Sequence, residues 1–187
     1  MKTIYFITSN NGKFIEANKK LSSIDIRLIQ KVFSYPEIQT NTLKEVVCFG
    51  IEYLMKKCSY PFFIEDAGLF INYLHGFPGV YSSYVFQTIG CHGILKLLED
   101  AAEIKRDAVF RSVIAYVASG QQPVFFKGEC PGRIANIRKG DYGFGYDPIF
   151  IPTGELRTFA EMSVDEKNSF SHRGKSLEKL INFFKNK

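Results

Sequence analysis

Apolar positions change their period along the chain, and each change marks an element. Thr3 to Ile7 is a buried strand, Asn10-Asn11-Gly12 is a polar turn, and Phe14, Ala17 and Leu21 then recur at helical spacing. Strand, turn and helix in that order are the βα opening of an α/β fold. Ile26 to Phe33 predicts a second strand, ended by Pro36. Thr42 predicts the cap of a helix carrying Leu43, Val46, Val47, Ile51 and Leu54, with Glu45 completing a capping box. Pro61-Phe62-Phe63-Ile64 leads a third strand that ends at Glu65-Asp66-Ala67-Gly68. A further apolar piece, Leu69 to Leu74, precedes a turn at Gly76-Phe77-Pro78-Gly79 and a helix bearing Ile94, Leu95, Leu97 and Leu98.

The second half reads as a hairpin followed by a helix. Ala108 to Ala118 is a long strand, Ser119 to Gln122 the link, and Pro123 to Glu129 the return. Arg133 to Asn136 predicts a short strand, and a closing helix near Gly174 presents Leu177, Leu180, Ile181 and Phe184 on one face. A parallel opening with an antiparallel hairpin predicts a mixed sheet flanked by helices. No repeat, low-complexity run or linker divides the 187 residues, so one domain over 1–187 is expected.

Composition narrows the class. At 45% hydrophobic and 23% charged, the chain reads as a soluble globular protein. Its 18 Phe and 10 Tyr lie mainly in apolar segments, which assigns them to the core and argues against a nucleic-acid module. A net charge of +5 favours polyanions only weakly, and it is not gathered into a basic run. Cys48, Cys58, Cys91 and Cys130 lack metal-ligand spacing and predict free thiols in a reducing compartment. The apolar start is too short for a signal peptide, and no stretch reaches transmembrane length, so a cytoplasmic protein away from membranes is expected.

Three groups of polar residues carry candidate chemistry. Thr8-Ser9-Asn10-Asn11-Gly12-Lys13 sits where a strand gives way to a helix, whose unpaired N–H groups, with hydroxyls and a lysine, suit phosphate. The P-loop pattern is absent, and the segment alone reads first as a capped helix with a solvated lysine. Lys167 has the same two readings, surface lysine or second phosphate contact. Asp66, with Glu37 after Pro36, offers hard oxygen ligands that favour Mg²⁺ over zinc. Glu65 points to the opposite side of a strand from Asp66 and therefore pairs elsewhere. Gly143-Phe144-Gly145-Tyr146-Asp147 is a tight loop carrying two rings and a carboxylate, fit for a planar ligand; Ser171-His172-Arg173-Gly174 is either a helix start or a donor set for a base.

With Tyr35-Pro36-Glu37, Glu65-Asp66-Ala67-Gly68-Leu69, Gly76-Phe77-Pro78-Gly79-Val80-Tyr81-Ser82 and Gly143 to Phe150, these segments make the chain resemble the inosine triphosphate pyrophosphatase family, its archaeal members above all. The resemblance spans nearly the whole length. It implies an elongated mixed α/β sheet with two lobes around a cleft, a homodimer, Mg²⁺, and hydrolysis of ITP, dITP and XTP to monophosphate and pyrophosphate. It assigns Thr8, Ser9, Asn10, Asn11, Gly12 and Lys13 to the triphosphate, Glu37 and Asp66 to the metal, and Asp66 also to proton acceptance. Phe144 stacks on the base beside Gly145, Tyr146 and Asp147; Lys167 binds substrate, and His172 and Arg173 contact the base. Two positions depart from the pattern. Ala67 stands where a serine is common, so one substrate-facing hydroxyl is missing, and Gly50 stands where many relatives carry a lysine. A pyrophosphatase for another nucleotide and a non-catalytic nucleotide sensor are the competing readings.

Overall fold

The computed structural model describes residues 2–36 and 38–186. Six strands form one sheet in the order β2-β1-β3-β4-β5-β6. β1 (Lys2–Ile7), α1 (Asn11–Leu21) and β2 (Ile26–Lys31) make a parallel crossover unit. β3 (Phe62–Ile71) lies parallel to β1, while β4 (Asp107–Val117), β5 (Val124–Ile134) and β6 (Phe150–Pro152) continue antiparallel from it. The mixed sheet flanked by helices is therefore as expected.

Several boundaries differ from the sequence reading. β3 does not stop at Glu65–Gly68 but runs through them for ten residues in all. Register with β4 is unbroken from Phe62↔Val117 to Ile71↔Ala108, so strand pairing holds the two carboxylates mid-strand. The two pieces expected at 123–129 and 133–136 are one strand, β5. Pro131 sits inside it without costing a bond to β4; its carbonyl, and so its nitrogen, faces away from β4, and the carbonyl accepts the Thr153 N–H at 3.0 Å. β2 stops at Lys31, two residues short of Phe33. Three short elements were not expected: α3 (Ser82–Thr88), β6 and α5 (Val164–Phe170). α4 (Gly90–Leu97) matches the helix read from Ile94 and its neighbours. α2 (Leu43–Met55) is capped by Thr42 as read, its hydroxyl accepting the Glu45 N–H at 3.2 Å, but the expected box is not closed: the Glu45 carboxylate takes the hydroxyls of Thr40 and Thr42 rather than the Thr42 N–H. α6 (His172–Lys185) starts at His172, two residues before Gly174.

Alternation on β3 and β4 places the core. One face carries Phe63, Ile114 and Tyr116 beneath α1 and α6 at one end, and Leu69, Ile71, Ala108 and Phe110 beneath the segments after α2 at the other. Between those two apolar patches the same face carries Glu65 and Ser112, which makes a polar gap between two cores. The opposite face packs Phe62, Ile64, Val113, Ala115 and Val117 beneath α2. Among the described residues no helix is long and apolar enough to cross a membrane.

Candidate active site

A difference in strand length creates the site. β1 pairs with β3 only at Tyr5↔Phe62 and Phe6↔Phe63. Beyond Phe63 the edge of β3 is left without a strand partner until the Leu69 N–H donates to Ser82 and Phe70 bridges Pro78, and Lys13 of α1 reaches into that gap. Asn10 caps that helix, its side-chain oxygen accepting the Lys13 N–H at 3.0 Å. The Thr8 hydroxyl accepts the Asn10 N–H at 3.1 Å, and Gln30 donates to both the Thr8 carbonyl and the Asn11 side chain at 3.1 Å. Ser9 is exposed in the same turn.

Lys13 reaches across the open edge. Its Nζ donates to the Glu65 carbonyl at 3.1 Å, pairs with the Glu65 carboxylate at 2.9 Å, and stands 4.0 Å from Asp66 Oδ1. Glu65 and Asp66 point to opposite faces, as alternation requires, so this ammonium touches both sides of the sheet. Asp66 faces the α2 side with its side chain 28% exposed, while Glu65 is fully buried. Ala67 is half-buried on the Glu65 face, opposite Ser112.

Behind Lys13, buried ions fill the polar gap. Glu16, one turn along α1, accepts from Lys167 Nζ and from Arg173 Nη1, each at 2.6 Å. Arg173 Nε lies 3.2 Å from Glu65 Oε1, an ion pair whose N–H points off the line, so Nε makes no hydrogen bond. Ser112 donates to Glu65 at 2.7 Å. Lys167 also pairs with Asp147 at 2.5 Å. Helix ends place these groups: Ser163 caps α5 with Glu166 in a capping box, and Ser171 both ends α5 and caps α6, accepting the Gly174 N–H at 3.0 Å. Lys167 and Arg173 thus leave two adjoining helices toward one point.

Burial and charge oppose each other here. Burial pushes the Glu65 carboxyl up, but Arg173 and then Lys13 outweigh it and hold it near 2. Burial likewise opposes ionisation of Glu16, and Arg173 and Lys167 overcome it, leaving the carboxyl below its ordinary value. Asp147 goes the other way: burial raises it and Lys167 does not fully compensate. Burial, followed by the charge of Arg173, keeps His172 well below the usual histidine range, so its ring is neutral.

The loop at 143–147 closes the group. Gly143 and Gly145 have φ of 75° and 62°, which lets the chain turn tightly on both sides of Phe144. Asp147 ties the turn, accepting the Phe144 N–H at 2.8 Å. The Phe144 ring lies directly on Gly12, where a Cβ would sit 2.3 Å from Cδ1. Lys167 and Arg173 stand 4.8 and 5.4 Å from the ring centroid. Gly145 offers its carbonyl to the Cys91 thiol at 3.4 Å.

Thus Lys13, Asp66, Phe144, Asp147, Lys167 and Arg173 come together, with the Thr8–Gly12 turn beside them. Two residues of the same motifs turn away. Tyr146 is buried in the far core, donates to the Ser82 carbonyl at 3.1 Å and meets Phe86 edge-on. The His172 ring stacks on Phe110 at 4.6 Å. Glu37 lies outside the described residues. Glu16 was not singled out from sequence, although it shares a stripe of α1 with Lys13, Ala17 and Lys20 and is the acidic member of that buried face.

A family model described as the Ham1 family matches residues 4–183. The chain is 52% identical over 182 residues to the dITP/XTP pyrophosphatase of Pyrococcus horikoshii, covering 97% of this chain and 96% of that one. It is 49% identical over 183 residues to the dITP/XTP pyrophosphatase of Methanopyrus kandleri, covering 98% and 96%. Its fold is similar to that of a HAM1 protein from Coxiella burnetii, with a TM-score of 0.85, 32% identity and full coverage of both chains.

Proposed function

The chain belongs to the Ham1 family, and we propose that it hydrolyses ITP, dITP and XTP to the monophosphate and pyrophosphate. The observation that carries this reading is Lys13 at the open edge of β3, between Asp66 on one face and the Glu65–Arg173–Phe144 group on the other. A nucleotide lying over that edge has its phosphates beside Asp66 and Lys13 and its base beside Phe144.

Magnesium fits this donor set. Among the described residues no three His, Cys, Asp or Glu side chains form a ready metal site. Mg²⁺ is usually held by one or two carboxylates together with substrate phosphates, so Asp66 would hold it with the substrate, and Glu37, outside the described residues, is proposed as the second carboxylate. When bound, the ion supplies charge neutralisation on the phosphates and a more acidic water. Asp66 would hold the ion and, as the carboxylate beside Lys13, would orient an attacking water toward the α-phosphorus and take up its proton. Lys13 and the first turn of α1 stabilise charge on the phosphate oxygens.

Selectivity rests on donors. Arg173 is anchored by Glu16 and Glu65 and is therefore preorganised. Its remaining N–H groups pair with the C6 carbonyl of hypoxanthine or xanthine, whereas the amino group of adenine leaves them unpaired. A buried donor without a partner costs about 1–3 kcal/mol. Neutral His172, next to Arg173 in the chain, stacks on Phe110 instead. We assign a homodimer as well; exposed Tyr73, Phe77, Tyr81 and Tyr84 supply apolar surface for it, and light scattering tests it.

Turnover of ITP, XTP, dITP, GTP and ATP, with and without Mg²⁺ and with product identification, tests the reading. Pyrophosphate from the first three, dependent on Mg²⁺, is the expected result. Release of orthophosphate, or equal rates on ATP, would overturn it.

A further inference from the structure

The cations of the buried cluster are already matched. Lys13 and Arg173 face Glu65, Arg173 and Lys167 share Glu16, and Lys167 also faces Asp147. Three cations against three carboxylates leave no surplus positive charge, and Asp66 adds a negative one. Lys13 and the ion offset only part of the charge of a triphosphate tail, so a further cation on the Asp66 face of the sheet would add to them. α2 does not supply it from Gly50. A Cβ at that position would stand 2.8 Å from the Tyr35 ring and 2.9 Å from Ile64 Cδ1, so Tyr35 and Ile64 occupy the path.

The opposite flank of Asp66 is different. On this face β3 presents Ile64, Asp66 and Gly68 in turn; Gly50 lies over Ile64, and Arg111 is the cross-strand partner of Gly68. Arg111 is therefore the diagonal neighbour of Asp66, at a backbone separation of about 7–8 Å. Its guanidinium lies 4.7 Å over the Phe70 ring and pairs with Glu129 at 3.3 Å, so its stem is held while its side chain remains 45% exposed. It borders a cavity of about 210 Å³ that Thr42, Lys44, Phe70 and Lys127 also line. Lys127 faces Val113, in the same row across the sheet as Asp66.

Building on the hydrolase reading, we propose that Arg111 binds the pyrophosphate end of the substrate, taking the place that Gly50 leaves without a cation. The planar fork of an arginine grips two phosphate oxygens at once. Glu129 is its resting partner and gives way to the phosphate. The cavity behind Arg111 receives the leaving pyrophosphate.

The test is calorimetric binding of magnesium pyrophosphate and of inosine monophosphate, with ITP kinetics alongside. Arg111→Ala is expected to weaken pyrophosphate about tenfold and to raise the KM for ITP similarly, with inosine monophosphate binding within about twofold of the parent. Arg111→Lys recovers part of the loss, and Glu129→Gln tightens pyrophosphate. Arg133→Ala, which removes another surface arginine paired with a glutamate, changes neither ligand. Pyrophosphate binding within twofold of the parent in Arg111→Ala would overturn the proposal, as would equal weakening of both ligands or no pyrophosphate binding by the parent. Absence of turnover with pyrophosphate binding still dependent on Arg111 would instead count against the hydrolase reading alone.

Discussion

Glu16→Gln keeps the shape of the side chain and removes one charge from the centre of the buried cluster. In the parent, Glu16 accepts from Lys167 and Arg173 at 2.6 Å each, and all three side chains are 3–4% exposed. A glutamine can offer its oxygen to one cation only, and its amide N–H groups then face the other. Removing one partner of a buried ion pair costs about 3–5 kcal/mol, because the remaining charge stays desolvated. No cavity contributes, since the volume is unchanged. For a chain of this size such a loss lowers Tm by about 6–20 °C. Urea unfolding at neutral pH reads the change directly, with a lower midpoint and an unchanged m-value. The cycle with Lys167→Met isolates the ionic part. The double variant is expected to lose at least about 1 kcal/mol less than the sum of the singles. Glu16→Gln within about 1 kcal/mol of the parent, with additive behaviour in the cycle, would refute the claim that these ions hold the gap between the two cores together.

Asp66→Asn is expected to cut turnover of ITP at least about a hundredfold while unfolding like the parent, since the side chain is partly exposed; near-parental turnover removes its catalytic role. Acid should destabilise the protein through Glu65. Its folded value near 2 lies below the ordinary 4.5, so its contribution, about 3 kcal/mol, is complete above pH 4.5 and disappears as pH falls through 2. Asp147, shifted upward, opposes this in part, and urea midpoints between pH 6 and 2 measure the net slope; a flat profile contradicts the shift in Glu65. Gly12→Ala drives a methyl into the Phe144 ring, so the KM for ITP should rise about tenfold, with only a small change in Tm because overpacking opposes alanine's better helix propensity. An unchanged KM would show that the ring can sit elsewhere and still bind substrate.

Local signals were legible in the sequence where one element decides them. The opening strand–turn–helix, the Thr42 cap and the long β4–β5 hairpin all rest on short-range patterns, and the structure has them. The break expected in the third strand arose from reading two carboxylates as an end. Followed face by face, the alternation continues: Phe63, Glu65, Ala67, Leu69 on one side and Ile64, Asp66, Gly68, Phe70 on the other. Glu65 can sit mid-strand because Lys13 and Arg173 compensate it. Those partners lie 52 and 108 residues away, and no local pattern reports them. The same holds for Glu16, whose partners are 151 and 157 residues off. β6 and α5 are too short for periodicity to declare, although the Ser163–Glu166 box marks where α5 begins. The direction of a side chain within a motif was equally invisible: Tyr146 and Phe144 are two residues apart, and one anchors the loop while the other faces the site.

Why the proposed phosphate and base ends can communicate follows from the sheet itself. A strand separates its two faces, and side chains on Glu65 and Asp66 cannot meet across it. Only the edge gives access to both. β1 has six residues and β3 ten, and their pairing ends at Phe63, so the edge opens just before these carboxylates. Lys13 enters there because α1 begins immediately after the shorter strand. Its bond to the Glu65 carbonyl takes the place of a ladder partner, and its ammonium lies between the two carboxylates. If β1 continued to pair alongside Ile64 and Glu65, that position would be filled by backbone and the two faces would be sealed from each other. The short first strand is therefore what the proposed pose requires, with phosphates on one face and the base on the other.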